Sequence, residues 1–109
     1  MQDILETEVA DRQVALFWLG QNSYIFKTYG GSLIALDPYL SRTSTRETYV
    51  HPEPPIRPEE VEVDYVFCTH DHSDHTDPDT LPMIAKSSPR AFFLGTKESY
   101  DHFLRMGIG

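Results

Sequence analysis

Three short apolar runs open the chain, rich in β-branched and aromatic residues: Val14 to Leu19, Ser23 to Thr28 and Ser32 to Asp37. Gly20-Gln21-Asn22 and Tyr29-Gly30-Gly31 separate them, and both are turn sequences, so the pattern predicts an antiparallel meander. A fourth run, Asp64 to Thr69, has the length and content of a buried strand. Between the third and fourth runs, residues 41–60 show no period and carry Pro52, Pro54, Pro55 and Pro58, which predicts a long surface loop or lid. Beyond the fourth run, Asp77-Pro78 followed by Asp79 to Lys86 reads as a capped short helix with proline in its first turn. Arg90 to Gly95 is a further strand. Thr96 to Met106 is a helix, with Thr96 as cap, Tyr100, Phe103 and Leu104 on one side, and Gly107 as the stop. Residues 1–13 are a lead-in segment. The alternation of strands and helices gives an α/β (α+β) fold in one domain, with no internal repeat or linker.

Composition narrows the class. Hydrophobic residues at 39% and charged residues at 24% fit a soluble globular domain, and no apolar run approaches the length of a membrane span. The acidic start, Met1 to Glu6, lacks the basic and apolar regions of a secretory signal, which predicts a cytoplasmic protein. The single cysteine, Cys68, excludes an internal disulfide and reads as a small core residue. A net charge of −8 argues against nucleic acid as a partner. Eight of the seventeen acidic residues lie between Glu59 and Asp79, with no Lys or Arg among them. A solvated face and a helix amino terminus account for them, and carboxylates near a cation site would also raise its affinity.

The chemistry concentrates in His70-Asp71-His72-Ser73-Asp74-His75, which holds three of the five histidines. Neutral imidazoles and a carboxylate are the ligands a borderline divalent cation takes, and near neutral pH a histidine gives up little to be deprotonated. In chain still extended after the strand, His70 and His72 point the same way and converge on one cation, while Asp71 and Ser73 face elsewhere. Asp74 and His75 are adjacent, so a tightening turn is needed to aim both at a second cation. The motif reads as half of a two-metal site, with Asp74 both ligating metal and orienting the attacking water.

This His-x-His-x-Asp-His after a strand resembles the signature of the metallo-β-lactamase superfamily of metal-dependent hydrolases. Trp18-Leu19-Gly20-Gln21-Asn22-Ser23, the strand ending in Asp37-Pro38, and Phe92-Phe93-Leu94-Gly95 look most like its ascorbate-phosphate lactonase branch, and the resemblance runs from about Val14 to Gly109. It implies the amino-terminal half of a four-layered αββα sandwich, because that fold is about twice this size. It also implies further ligands later in the chain, with none assigned here and His102 left free. The isolated 109 residues are therefore expected to be incomplete and inactive. Asp37 carries over as a residue that braces the ligand-bearing loops without binding metal, although Asp-Pro is also ordinary turn chemistry. Asp71 could orient a ligand imidazole or relay a proton.

Tyr39, Ser41, Arg42 and Arg46 lie on the loop that could roof the site. Tyr39, Arg42 and Arg46 are the substrate-binding candidates, an arginine being what an anionic substrate would need; plain surface placement is the competing reading. Trp18 reads as a core aromatic, His51 as solvated, and Thr69 as bonding backbone. Two divalent ions are expected in the complete protein. Zinc ranks first by ligand softness, and manganese and iron are the alternatives within the superfamily. The expected substrate is a small lactone, ester or sugar phosphate. Two rivals stand beside this reading: a non-catalytic module holding one structural cation on His70, His72 and His75, and a phosphodiesterase or nuclease of the same superfamily.

Overall fold

A computed structural model describes residues 1–43 and 48–108. Five strands form one sheet in chain order: β1 (Val14–Trp18), β2 (Tyr24–Thr28), β3 (Leu33–Leu36), β4 (Tyr65–Cys68) and β5 (Phe92–Gly95). The first three make the expected antiparallel meander, and β3–β4 and β4–β5 pair in parallel. Three helices accompany them: α1 (Gln2–Glu6), α2 (Leu81–Ser87) and α3 (Lys97–Arg105), with a 3₁₀ turn at Pro58–Glu60. The α/β expectation holds.

The sheet has one covered face and one open face. Ile25, Ala35, Val66 and Cys68 are fully buried against Leu81 and Ile84 of α2, Phe103 of α3, and Leu40, Ile56, Val61 and Val63 of the long connection. Residues two apart in a strand share a face. Phe17 packs against the core, so Leu16 and Trp18 must point the other way. Trp18 is 51% exposed, which corrects its reading as a core residue. Its indole N–H donates to the Gln21 carbonyl at 2.8 Å. Leu16, Phe67, Leu94 and Phe92, the last 68% exposed, extend this apolar surface across the sheet. A continuous apolar face of that kind is what a second layer packs on. Helices and loop on one side of one sheet are two of the four layers of an αββα sandwich.

Local chemistry sets the element ends. α1 lies within the expected lead-in, where no residue pattern marks a helix. Its stability comes from tertiary contacts: Ile4 is buried, and the Lys27 ammonium donates to the carbonyls of Ile4 (3.0 Å) and Leu5 (2.7 Å). α2 begins two residues after the expected Asp79, and its first-turn proline is Pro82 rather than Pro78. Asp77-Pro78 instead forms the turn before it, with Asp77 Oδ1 accepting the Asp79 N–H at 2.9 Å. α3 is capped as expected, the Thr96 hydroxyl accepting the Ser99 N–H at 3.2 Å. It stops at Gly107 (φ +82°), where the Ile108 N–H reaches the Phe103 carbonyl and the Gly107 N–H the Leu104 carbonyl, closing a Schellman motif. Gly95 lets α3 approach closely, since a Cβ there would lie 2.9 Å from Ser99 Cβ and 3.1 Å from the Cys68 carbonyl.

The described part of the 41–60 connection is anchored rather than loose. Ile56 is buried, and the Ser41 hydroxyl donates to Asp77 Oδ2 at 2.7 Å.

Candidate metal centre

Parallel pairing of β3 with β4 aligns their carboxyl ends, and the site grows from that edge. The Asp37 N–H donates to the Phe67 carbonyl at 2.8 Å, which sets Asp37 beside Thr69. Asp37 has φ +45°, a conformation aspartate tolerates better than most residues. The Ser23 hydroxyl donates to its carbonyl and accepts the Tyr39 N–H, both at 2.8 Å. The buried carboxylate then takes donors on both oxygens. Oδ1 accepts the Thr69 N–H at 2.7 Å, and Oδ2 accepts the Thr69 hydroxyl at 2.6 Å and lies 2.8 Å from His75 Nδ1. Thr69 thus bonds a side chain, where the sequence suggested backbone.

The motif does not stay extended. The His72 carbonyl accepts the N–H groups of both His75 (2.9 Å) and Thr76 (2.7 Å), so the chain turns immediately after the second histidine. The buried Thr76 hydroxyl donates to the His70 carbonyl at 2.6 Å and meets Ser99 Oγ at 3.0 Å, tying the turn to the first turn of α3. As a result His70, Asp74 and His75 form the cluster, with one ligand atom from each lying within 4.8 Å of the others. The pairing expected of His70 with His72 on one cation and Asp74 with His75 on another is not the grouping seen. His72 is exposed and lies outside that group of three, its ring edge-on to His70 at 4.8 Å between centroids.

The donor set fits a divalent cation. His75 Nε2 and Asp74 Oδ2 are 3.6 Å apart, close to the spacing of about 3.4 Å between two ligands of a tetrahedral zinc. The remaining spread asks for a closure of roughly 1.4 Å.

The other candidates fall elsewhere. Asp71 faces His102 of α3 at 3.5 Å. Tyr39 is 5% exposed, with its hydroxyl 3.3 Å from that of Tyr49. Arg42 organises its own loop: Nε donates to the His51 carbonyl (2.9 Å), Nη1 to the Ser41 carbonyl (2.8 Å), and the guanidinium lies over the Tyr49 ring. Arg46 lies outside the described residues. His51 is half-buried against Gly20 and Trp18 rather than solvated. Thr76 and Ser99 carry no signal in the sequence, since neither belongs to a motif or a period.

Residues 15–103 match the family described as "Beta-lactamase superfamily domain". The chain belongs to this superfamily. Among curated proteins, this superfamily domain is 36% identical over 87 residues to a "UPF0173 metal-dependent hydrolase" of Aeropyrum pernix, covering 79% of the chain and 31% of that protein. It is 34% identical over 58 residues to one of Archaeoglobus fulgidus, covering 53% of the chain and 21% of that protein. The matched stretch thus spans a third or less of these relatives' length. Among solved structures, an isothiocyanate hydrolase from Delia radicum gut bacteria superposes with a TM-score of 0.59 at 20% identity, covering 89% of the domain and 40% of that chain. That likeness concerns the fold.

Within the superfamily domain, Cys68 ends β4 two residues before His70. Burial pushes its thiol up to about 12; the Thr76 hydrogen bond opposes this, and the nearby Asp37 charge adds to it. The folded chain should therefore hold this proton while the unfolded chain releases its own near the ordinary thiol value of about 8.5. Between that value and 12 the unfolded state binds fewer protons, so this group lowers stability as pH rises. Alkylation of Cys68 at about pH 8 is expected to proceed only as fast as the chain opens. Rapid stoichiometric labelling of the native protein would contradict this.

Proposed function

We propose that this domain supplies the amino-terminal metal-binding part of a hydrolase that uses metal-activated water on a small lactone, ester or sugar-phosphate substrate in the cytoplasm. The observation that carries it is the convergence of His70, Asp74 and His75 at the carboxyl edge of two parallel strands, with His75 held from behind by buried Asp37. When bound there, a divalent cation lowers the pKa of coordinated water enough to supply hydroxide near neutral pH. Zinc suits two imidazoles and a carboxylate, with manganese and iron as alternatives. His70, Asp74 and His75 would hold the first ion, and His72 would contribute to a second together with ligands from outside this chain.

The chain's own residues prepare the site. The Asp37 carboxylate accepts a hydrogen bond from His75 Nδ1–H, which leaves the Nε2 lone pair to face Asp74. Asp74 is partly exposed, so it can ligate with one oxygen and receive or orient the nucleophile's proton with the other. His72, exposed beside the cluster, borders the side from which a substrate would approach. A non-catalytic reading, one structural cation and no chemistry, is favoured by there being one such three-residue cluster among the described residues. Zinc titration of the metal-stripped complete protein, followed by assay on a lactone and phosphoester panel, separates the two. Two ions per chain and turnover lost on chelation support the hydrolase. One tight ion without turnover supports the structural module, and no binding removes both.

A further inference from the structure

We propose that Thr69 is a positioning residue that fixes the tautomer of His70, so that Asp37 sets the proton on both histidines of the cluster, directly on His75 and through the Thr69 hydroxyl on His70. The inference rests on the metal-site reading for its purpose but not for its geometry. An ionised carboxylate only accepts hydrogen bonds, whereas a threonine hydroxyl has one hydrogen to give and lone pairs to receive. Thr69 Oγ1 lies 2.6 Å from Asp37 Oδ2, a short contact of the charge-assisted kind, so its hydrogen goes to Asp37. The same oxygen lies 3.0 Å from His70 Nδ1. Its hydrogen being committed, the oxygen can only accept there, and Nδ1 must carry the proton. His70 therefore offers the Nε2 lone pair, as His75 does.

Two features make this relay rigid. Thr69 binds Asp37 at two points, N–H to Oδ1 and hydroxyl to Oδ2, which fixes both its backbone and its side chain. Threonine is also β-branched and stiff at χ1, so the hydroxyl is held where His70 needs it. One buried carboxylate with three donors therefore prepares two ligands whose own positions are set by different parts of the turn. His72 has no such partner among the described hydrogen bonds, in keeping with its exposed place outside the cluster.

Long-range ¹⁵N–¹H spectra of the metal-free protein, in which neutral and doubly protonated rings are told apart by their ¹⁵N shifts, read the tautomers of the neutral rings without any ion or substrate. His70 and His75 should both be protonated at Nδ1. Thr69→Val should leave His75 unchanged, release His70 to a mixture containing the Nε2-protonated form, and weaken zinc binding about tenfold. Thr69→Ser should retain the wild-type spectrum. The proposal is overturned if wild-type His70 is protonated at Nε2, or if Thr69→Val alters neither the tautomer nor the affinity. Should Thr69→Val fail to fold, the wild-type spectrum still decides. Correct tautomers with no zinc binding would reject the hydrolase reading and leave this one standing.

Discussion

In the complete protein, if it is the hydrolase proposed, replacing His75 with alanine is expected to lower turnover by on the order of a thousandfold or more, equivalent to about 4 kcal/mol of transition-state stabilisation. Its imidazole is the junction of the site, with Nδ1 on Asp37 at 2.8 Å and Nε2 at 3.6 Å from Asp74. Truncation removes a ligand and takes from a buried carboxylate one of its three donors. The second loss should also cost roughly 1–3 kcal/mol of stability. His70→Ala gives the internal comparison, because His70 is only half-buried and its removal leaves Asp37 its bonds to Thr69 and His75. The same loss of rate is expected there with a smaller loss of stability. Turnover, zinc stoichiometry and thermal unfolding of both variants check this. A metal-loaded His75→Ala protein working within about tenfold of wild type would remove this histidine from the mechanism.

Asp37→Asn is the second large effect, and it replaces no member of the cluster. Asparagine keeps the size and tolerates the positive φ. Its carbonyl oxygen can still accept the Thr69 N–H, and the Thr69 hydroxyl can turn to accept from its NH₂, but that NH₂ meets the His75 Nδ1–H donor against donor. To relieve this, His75 must move its proton to Nε2, the nitrogen that faces Asp74. A fall in zinc affinity of about 10- to 100-fold is expected, with native circular dichroism retained. Asp37→Ala should be worse, since it also strands the Thr69 N–H at a cost of roughly 1–3 kcal/mol. Zinc binding to Asp37→Asn at wild-type strength would show that the carboxylate only shapes the turn.

Much of this arrangement was legible in the residues, and the parts that were not share physical reasons. The strands and their turns could be read because β-branched and aromatic runs end at glycine and asparagine. Trp18 reads as a core residue because every residue from Val14 to Trp18 is apolar, which silences the two-residue period that would assign its face. α1 escaped notice because five residues do not make a helix alone, and Ile4 and Lys27 hold it from outside. The motif announced metal chemistry, and Asp37 was placed beside it through resemblance. The grouping of its side chains was hidden, since it depends on which carbonyl closes the turn, and that carbonyl is His72's. Thr76 and Ser99 meet across 23 residues, and nothing local marks such a pair.

The parallel step from β3 to β4 has a consequence for the order in which the molecule assembles. Asp37 and Thr69 are 32 residues apart and touch only because these two strands lie side by side. The meander can zip through neighbouring turns, whereas this junction must wait for a long stretch of intervening chain to be gathered in, which is the slow kind of encounter. Refolding watched by zinc uptake should therefore lag refolding watched by β-structure, with ion capture marking the moment the crossover closes.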